Sequence, residues 1–371
     1  MRIGYLSGEL REHATSHLLV GVIELHDSSR FEVYGFDNGW NDQSNMRRRN
    51  ETALHRVIDI SKLSDPSAAA AIYENQIDIL VNLNGYFGKS RTVVFAKRPA
   101  PVQVNYLGFP GTIGAKYIDY IIADRCVIPE PQRAFYTENV VYLPNSYQAN
   151  DRKRHIGTRE FGRLECGLPE SGFVFCCFNN SYKIVPETFN CWMRILGQVE
   201  GSVMWLLETD HSAASHLRSA ATRLGVDPER LVFAERISLP DHLARHRLGG
   251  LFLDTLPYNA HTTASDALWA GLPVLTCLGE TFAGRVCASL LNAVNLPELV
   301  ATTTEDYERM AVELAGDPEK LTEIKRKLDE RRLTTPLFDT NQFTRHIEAA
   351  YMTMYERQQA GLPPDHISIP N

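Results

Sequence analysis

Short apolar runs and stretches of helical spacing follow one another along almost the whole chain. "RIGYLSG" is an apolar run closed by glycine, and in "SHLLVGVIELH" Leu18, Val22 and Leu25 share one side of a helix. "FEVYGFD" and "HRVIDIS" read as strands, and "DPSAAAAIYENQ" opens with Asp-Pro and reads as a helix. "IDILVNLNG", "VQVNYLG", "YIDYIIA" and "VVYLP" are further strands. Such alternation predicts parallel sheets with helices on both faces.

The pattern breaks at "NSYQANDRKRHIGTREFG", where charge is dense and apolar periodicity is lost, and then restarts. "GFVFCCFNN" is a strand, and "VPETFNCWMRILGQV" is a helix with Phe189, Trp192, Leu196 and Val199 along one side. Strands at "SVMWLLET", "RLVFAER", "GLFLDTL" and "PVLTCLG" alternate with helices at "SAASHLRSAATRLG", "PDHLARHRL" and "TASDALWAG". The tail from Thr304 is helical and charged, with Phe343, Ile347, Tyr351 and Tyr355 forming a docking stripe. A chain of 371 residues is long for one core. The reading is α/β: two doubly wound, Rossmann-like lobes, residues 1–154 and 155–371, the second carrying the C-terminal helices. Ligands of such sheets bind beyond the carboxyl ends of the strands, so the expected site is the cleft between the lobes.

Composition narrows the function by exclusion. A hydrophobic share of 44% and a charged share of 22% are those of a soluble globular protein. The net charge of −7 offers no basic footprint for nucleic acid. No apolar run approaches a membrane span. The sequence enters a strand at once, without a signal peptide, which makes the cytoplasm the expected location. The seven cysteines contain no CxxC and read as buried free thiols. HExxH, GxSxG, P-loop and GxGxxG motifs are absent, so neither a metal centre nor a nicotinamide or flavin cofactor is expected.

The polar residues concentrate at strand ends. "NAHTTASDALWAGLPVLT", from Asn259, sets His261, Thr262 and Thr263 at a helix start and Asp266 one turn in. Unpaired N–H groups there form an anion site, commonly for phosphate. The threonine hydroxyls and the His261 ring add donors, and Asp266 is placed to accept from a ribose. The same residues also fit a plain cap, since Thr263-Ala-Ser-Asp266 has capping-box spacing. In "FNNSYKIVPET", Lys183 follows a buried strand, where an ammonium could neutralise charge on a leaving group. "GELREHATSHLL" puts His13 in the first strand-to-helix turn, with Thr15 or Ser16 as the cap and His17 on the helix. Asn82 and Asn84 alternate at the end of "ILVNLNG", and Gly108, Gly111 and Gly114 frame a sharp loop. His242 and Arg245, one helical turn apart, could meet a nucleobase or form a surface pair.

Taken together, six segments in register resemble the O-linked N-acetylglucosamine transferases, which include the plant SPINDLY-type O-fucosyltransferases. They are "GELREHATSHLL", "ILVNLNGYFGKSR", "YLGFPGTIGAKYIDYIIAD", "CFNNSYKI", the stretch from "NAHTTASDALWAG" to "VCASLL", and the closing "PLFDTNQFTRHIEAAYMTMYERQQAGLPPDHI". The resemblance implies a GT-B fold. It implies transfer of one sugar, N-acetylglucosamine from its UDP donor, to Ser or Thr hydroxyls of proteins, with inversion and without metal. Carried over by position, Lys183 would bind the diphosphate and stabilise the departing nucleotide. His261, Thr262 and Thr263 would hold the diphosphate, Asp266 would meet the ribose, and His242 would stack on the base beside Arg245. Asn180 would join the donor site, and Asn84, Tyr86, Gly108, Pro110, Gly111 and Thr112 would form the sugar and acceptor side. His13 would lie beside acceptor and sugar as a second catalytic residue with Lys183, and the base would be either His13 or a phosphate oxygen of the donor. In the animal members Gln replaces Asn180 and a lysine replaces Leu239. The animal members also insert an extra domain between the lobes, where this sequence has only a short linker, like the bacterial relatives. Members usually carry tetratricopeptide repeats ahead of the catalytic half, and this sequence starts directly at the first catalytic strand. Alternative readings are a GDP-fucose donor, another GT-B enzyme such as a 2-epimerase, and a non-catalytic nucleotide-sugar-binding module.

Overall fold

The computed structural model describes residues 1–371. They divide into two compact units: residues 1–153 with 336–371, and residues 154–335.

In the first unit the chain builds β1 (Arg2–Ser7), β2 (Glu32–Asp37), β3 (Arg56–Asp59), β4 (Ile79–Asn82), β5 (Val102–Asn105), β6 (Tyr120–Ala123) and β7 (Asn139–Tyr142). Between them lie α1 (Ala14–Leu25), α2 (Asn45–Ala53), α3 (Asp65–Glu74) and α4 (Thr92–Ala96). Each strand pair is parallel, as the alternation requires. Leu6, Phe36, Ile72, Leu80 and Phe95 belong to one buried cluster between sheet and helices. Helix α3 starts where Ser64 accepts from the Ser67 N–H and Pro66 fills the first turn.

Helix α2 was not legible as an apolar stripe, because its sequence, "NMRRRNETA", is polar. Its buried face is held by Arg47, which pairs with Asp37 and with Glu51 (2.6 Å).

The second unit contains β8 (Val174–Cys177), β9 (Val203–Leu207), β10 (Leu231–Ala234), β11 (Leu251–Leu253), β12 (Val274–Cys277) and β13 (Val300–Ala301). Its helices are α5 (Pro186–Gln198), α6 (His211–Arg223), α7 (Leu239–Arg245), α8 (Thr262–Trp269), α9 (Val286–Ala293), α10 (Thr304–Gly316) and α11 (Pro318–Arg331). The sheet order is β10-β9-β8-β11-β12-β13, again parallel throughout. The order reverses beside β8, so the ends of β8 and β11 flank the switch point where doubly wound sheets bind ligands.

The chain then returns to the first unit with α12 (Thr340–Gln359) and β14 (Ile367–Ser368). The eight-stranded sheet is thus β14-β7-β6-β5-β4-β1-β2-β3. This corrects the assignment of all C-terminal helices to the second lobe: α10 and α11 belong there, whereas α12 packs on α1. The stripe shifts accordingly. Ile347, Ala350, Tyr351 and Met354 are buried, and Phe343 and Tyr355 are half-buried rims. A buried polar chain fastens the helix: Tyr351 OH lies 3.1 Å from Tyr5 OH, Tyr5 OH lies 3.0 Å from His26 Nε2, and Glu348 sits 3.0 Å from His26 Nδ1. All seven cysteines are free thiols and five are buried.

Candidate functional site

In the second unit, two strand ends supply the polar groups. After β8 the chain passes Phe178, Asn179 and Asn180 into a 3₁₀ turn, Ser181–Lys183. After β11 a loop from Asp254 to His261 leads into α8. The Lys183 ammonium is buried, donates to the Asn259 carbonyl (2.7 Å) and lies 4.2 Å from the centre of the Tyr258 ring. Its partners are a carbonyl and a ring face, not a carboxylate. Burial lowers its pKa to about 8, against the opposing pull of Asp254.

The start of α8 departs from the capping-box reading. Its cap position is His261, whose side chain makes no capping bond. The first helical N–H to find an acceptor is that of Ser265, on the His261 carbonyl (3.1 Å). The N–H groups of Thr262, Thr263 and Ala264 therefore have no acceptor within the chain. They form the partial positive charge of a helix N-terminus. The Thr262 hydroxyl makes no hydrogen bond in the chain, whereas the Thr263 hydroxyl donates to Asn179 Oδ1. Asn179 in turn donates to Thr255 Oγ1 (2.9 Å), which donates to the Tyr258 carbonyl (2.7 Å). Thr263 thus ties the two strand ends together.

His261 is corrected in one respect. Its Nε2 donates to the Ala283 carbonyl (3.1 Å), so the ring N–H expected for a phosphate is already used. Burial, reinforced by Lys183, lowers its pKa to about 3, and the neutral ring stacks on Tyr258 at 4.9 Å and 23°. Histidine, tyrosine and lysine form one column beside the helix start.

Asp266 is buried and pairs with Arg154 (2.5 Å). Trp269, on the same helix, donates its indole N–H to the Arg154 carbonyl (3.0 Å). His242 and Arg245 are not a surface pair. His242 Nδ1 accepts from Arg245 Nε (3.0 Å) and Nη2 (2.7 Å), and the His242 ring meets Phe178 edge-on at 4.9 Å. Burial depresses both pKa values, that of Arg245 to about 10. Asn180 is exposed and accepts from Arg236 (2.9 Å). Leu239 is the first residue of α7.

In the first unit the other candidates gather at the ends of β1, β4 and β5. His13, not Thr15 or Ser16, caps α1: its Nδ1 accepts the Thr15 N–H (3.2 Å). Its Nε2 is 3.9 Å from Glu9, its ring tilts against Phe87 at 5.5 Å, and burial lowers its pKa to about 4. His17 pairs with Glu12 (2.6 Å) on the helix surface. Asn84 lies beyond β4, not on it. It accepts from the Gly8 N–H (2.9 Å) and donates to the Phe87 carbonyl (3.1 Å), joining the first and fourth strand ends. Tyr86 donates to the Ile113 carbonyl (2.6 Å). A Cβ on Gly108 would sit 2.0 Å from the Leu83 carbonyl oxygen, which is why this loop needs glycine. Next to Pro110, the Gly111 carbonyl accepts from Asn105 (3.0 Å), and Thr112 donates to Glu138 (2.5 Å).

Sequence reasoning missed Asp254, Tyr258, Asn259 and Arg154. Asp254 was visible as a carboxylate at the end of the apolar run "GLFLDTL". Arg154 lay in a stretch that reads only as a charged linker. No three His, Cys, Asp or Glu side chains group as a metal-binding set.

The sequence matches the profile of glycosyl transferase family 41 over residues 1–164 and 158–347. It is 37% identical over its full length to a probable UDP-N-acetylglucosamine–peptide N-acetylglucosaminyltransferase SEC from Arabidopsis thaliana, covering 38% of that protein. The chain thus spans about two-fifths of the length of the curated relatives it matches. Among solved structures, a mutant O-GlcNAc transferase from Thermobaculum terrenum superposes with a TM-score of 0.89. That match has 34% identity and covers 97% of this chain and 69% of the other. HepE from Anabaena, in complex with UDP and glucose, gives a TM-score of 0.63 at 14% identity, covering 95% of this chain and all of the other. The fold is that of the GT-B glycosyltransferases.

Proposed function

Because the chain belongs to glycosyl transferase family 41, we propose that it transfers a single N-acetylglucosamine from a UDP donor to Ser or Thr hydroxyls of proteins, with inversion and without a metal ion. The observation that carries this is the start of α8: three N–H groups without acceptors, an unused Thr262 hydroxyl, and a buried ammonium that has no carboxylate partner. A nucleoside diphosphate supplies the acceptors that this arrangement lacks.

The chemistry follows from where charge appears. As the acceptor hydroxyl attacks the anomeric carbon, the glycosidic bond to phosphate breaks and negative charge grows on the departing diphosphate. Lys183 and the helix N-terminus oppose that charge, and they do so more strongly in the transition state than in the ground state. Asp266, oriented by Arg154, meets the ribose, and His242 and Arg245 with Asn180 complete the donor side. On the acceptor side, Asn84, Tyr86 and the Gly108–Thr112 loop shape the surface. His13 contributes as a donor. Its Nδ1 is occupied by the Thr15 N–H, so Nε2 carries the proton and cannot receive another. The acceptor proton then passes to a phosphate oxygen of the donor.

The test is transfer itself. With UDP-N-acetylglucosamine and a Ser/Thr peptide, one sugar is expected per hydroxyl, in the β configuration by NMR, at a rate that EDTA leaves unchanged. Donor epimerised in the absence of peptide, or nucleotide bound without transfer or slow hydrolysis, would refute this reading.

A further inference from the structure

Asp254 follows β11 and is buried. Its Oδ1 accepts the N–H groups of Thr255 (2.7 Å) and Ala260 (2.5 Å), and its Oδ2 accepts the Thr276 hydroxyl (2.6 Å). Ala260 stands between Asn259, whose carbonyl receives Lys183, and His261, which opens α8. One carboxylate therefore fastens both ends of the loop that joins the lysine to the helix N-terminus.

We propose that Asp254 is a positioning residue of the donor site, whose three accepted hydrogen bonds fix the loop and whose buried negative charge keeps the Lys183 ammonium charged for the diphosphate. This rests on the nucleotide reading above. The titratable groups facing Lys183 are Asp254, Cys177, Cys287 and His261, with the Tyr258 ring packed against it. Burial pushes the Cys177 thiol well up and the His261 ring down to about 3, so neither carries charge near neutral pH. Asp254 is the one carboxylate in the set. Burial raises its pKa to about 6, still below neutrality, because Thr276, the two N–H groups and Lys183 favour the ionised form.

Asp254→Asn separates charge from geometry. The amide oxygen keeps both backbone N–H partners, and the Thr276 hydroxyl turns to accept from the new NH₂ group. UDP affinity is measured by calorimetry from pH 6 to pH 9.5. In the natural sequence it should weaken as Lys183 loses its proton near pH 8. In Asp254→Asn the same weakening should begin about one pH unit lower, because an opposite charge has been withdrawn. The variant should then bind roughly 5- to 10-fold more weakly at pH 8 and almost normally at pH 6. Thr276→Val, which keeps the charge, should leave the inflection in place. An unmoved inflection in Asp254→Asn overturns the assignment. A second measurement needs neither a variant nor nucleotide: the ¹⁵Nζ resonance of Lys183 should show an added step near pH 6 as Asp254 ionises. Its absence overturns the assignment too, whereas failure of UDP to bind at any pH, with that step present, counts against the nucleotide reading alone.

Discussion

Lys183 donates to the Asn259 carbonyl at 2.7 Å, so the cation from the turn after β8 is held on the loop that leads into α8. The ammonium is placed before any ligand arrives, and two of its three N–H groups remain for oxygen acceptors. Lys183→Met should therefore keep the fold, because methionine fills a similar volume without a buried charge, yet lose the stabilisation of the leaving group. A loss of ~10²–10³ in kcat is expected. Turnover within a few-fold of normal, with the far-ultraviolet spectrum unchanged, would remove the role.

The lowered pKa of Lys183 gives binding a proton signature. Free, the group titrates near 8 rather than 10.5. A bound diphosphate favours the ammonium and raises that value. Nucleotide binding between about pH 8 and 9 should take up a fraction of a proton, and binding at pH 6.5 should take up none. Calorimetry in buffers of different ionisation enthalpy reads this directly. Folding responds with the opposite sign to nucleotide. Between about 8 and 10.5 the unfolded chain holds more protons at this residue than the native one, so the residue's contribution to stability rises with pH across that window. The nucleotide-induced rise in melting temperature should shrink over the same range.

The paired threonines should separate in their effects. Thr262 has an unspent hydroxyl, and Thr262→Val should weaken UDP binding with little change in melting temperature. The Thr263 hydroxyl is bonded to Asn179. Thr263→Val leaves that buried amide oxygen unpaired, at a cost of about 1–3 kcal/mol in stability. Denaturant unfolding and nucleotide titration of the two variants distinguish the roles. Equal effects on both would contradict the hydrogen-bond assignment.

The legibility of these residues in the sequence follows their periodicity. Strands β1, β4, β8 and β12 are continuous apolar runs, and α5 has a strong apolar face, so all of them stood out. Helix α2 did not, because Arg47 and Asn50 bury polar groups through long-range partners that no local pattern reveals. Residues 336–371 join the first unit and not the second for a related reason: an apolar stripe says that a helix docks, but not on what. Within the site, Lys183, Thr262 and His242 were picked out by residue type at strand and helix ends. The tautomer of His261, the cap formed by His13 and the hub at Asp254 depend on which carbonyl or N–H lies opposite, and that is fixed only by tertiary contact.

Arg154 lies in the stretch that read as a charged linker, and its pairing with Asp266 makes it a structural anchor of α8. Arg154→Met leaves a buried carboxylate without its guanidinium. Breaking such a pair costs roughly 3–5 kcal/mol. Equilibrium unfolding in urea should show that loss, and the variant should recover part of it when Asp266 is also changed to Asn. A stable single variant would show that the pair contributes little.

The proposed donor site puts a diphosphate where α8 begins, under Lys183. A crystal structure of the chain with saturating UDP measures it most directly. The expected result is phosphate oxygens within hydrogen-bond distance of the N–H groups of Thr262 and Thr263, the Thr262 hydroxyl and the Lys183 ammonium. Nucleotide bound elsewhere, or a helix start that stays empty at saturation, would contradict it.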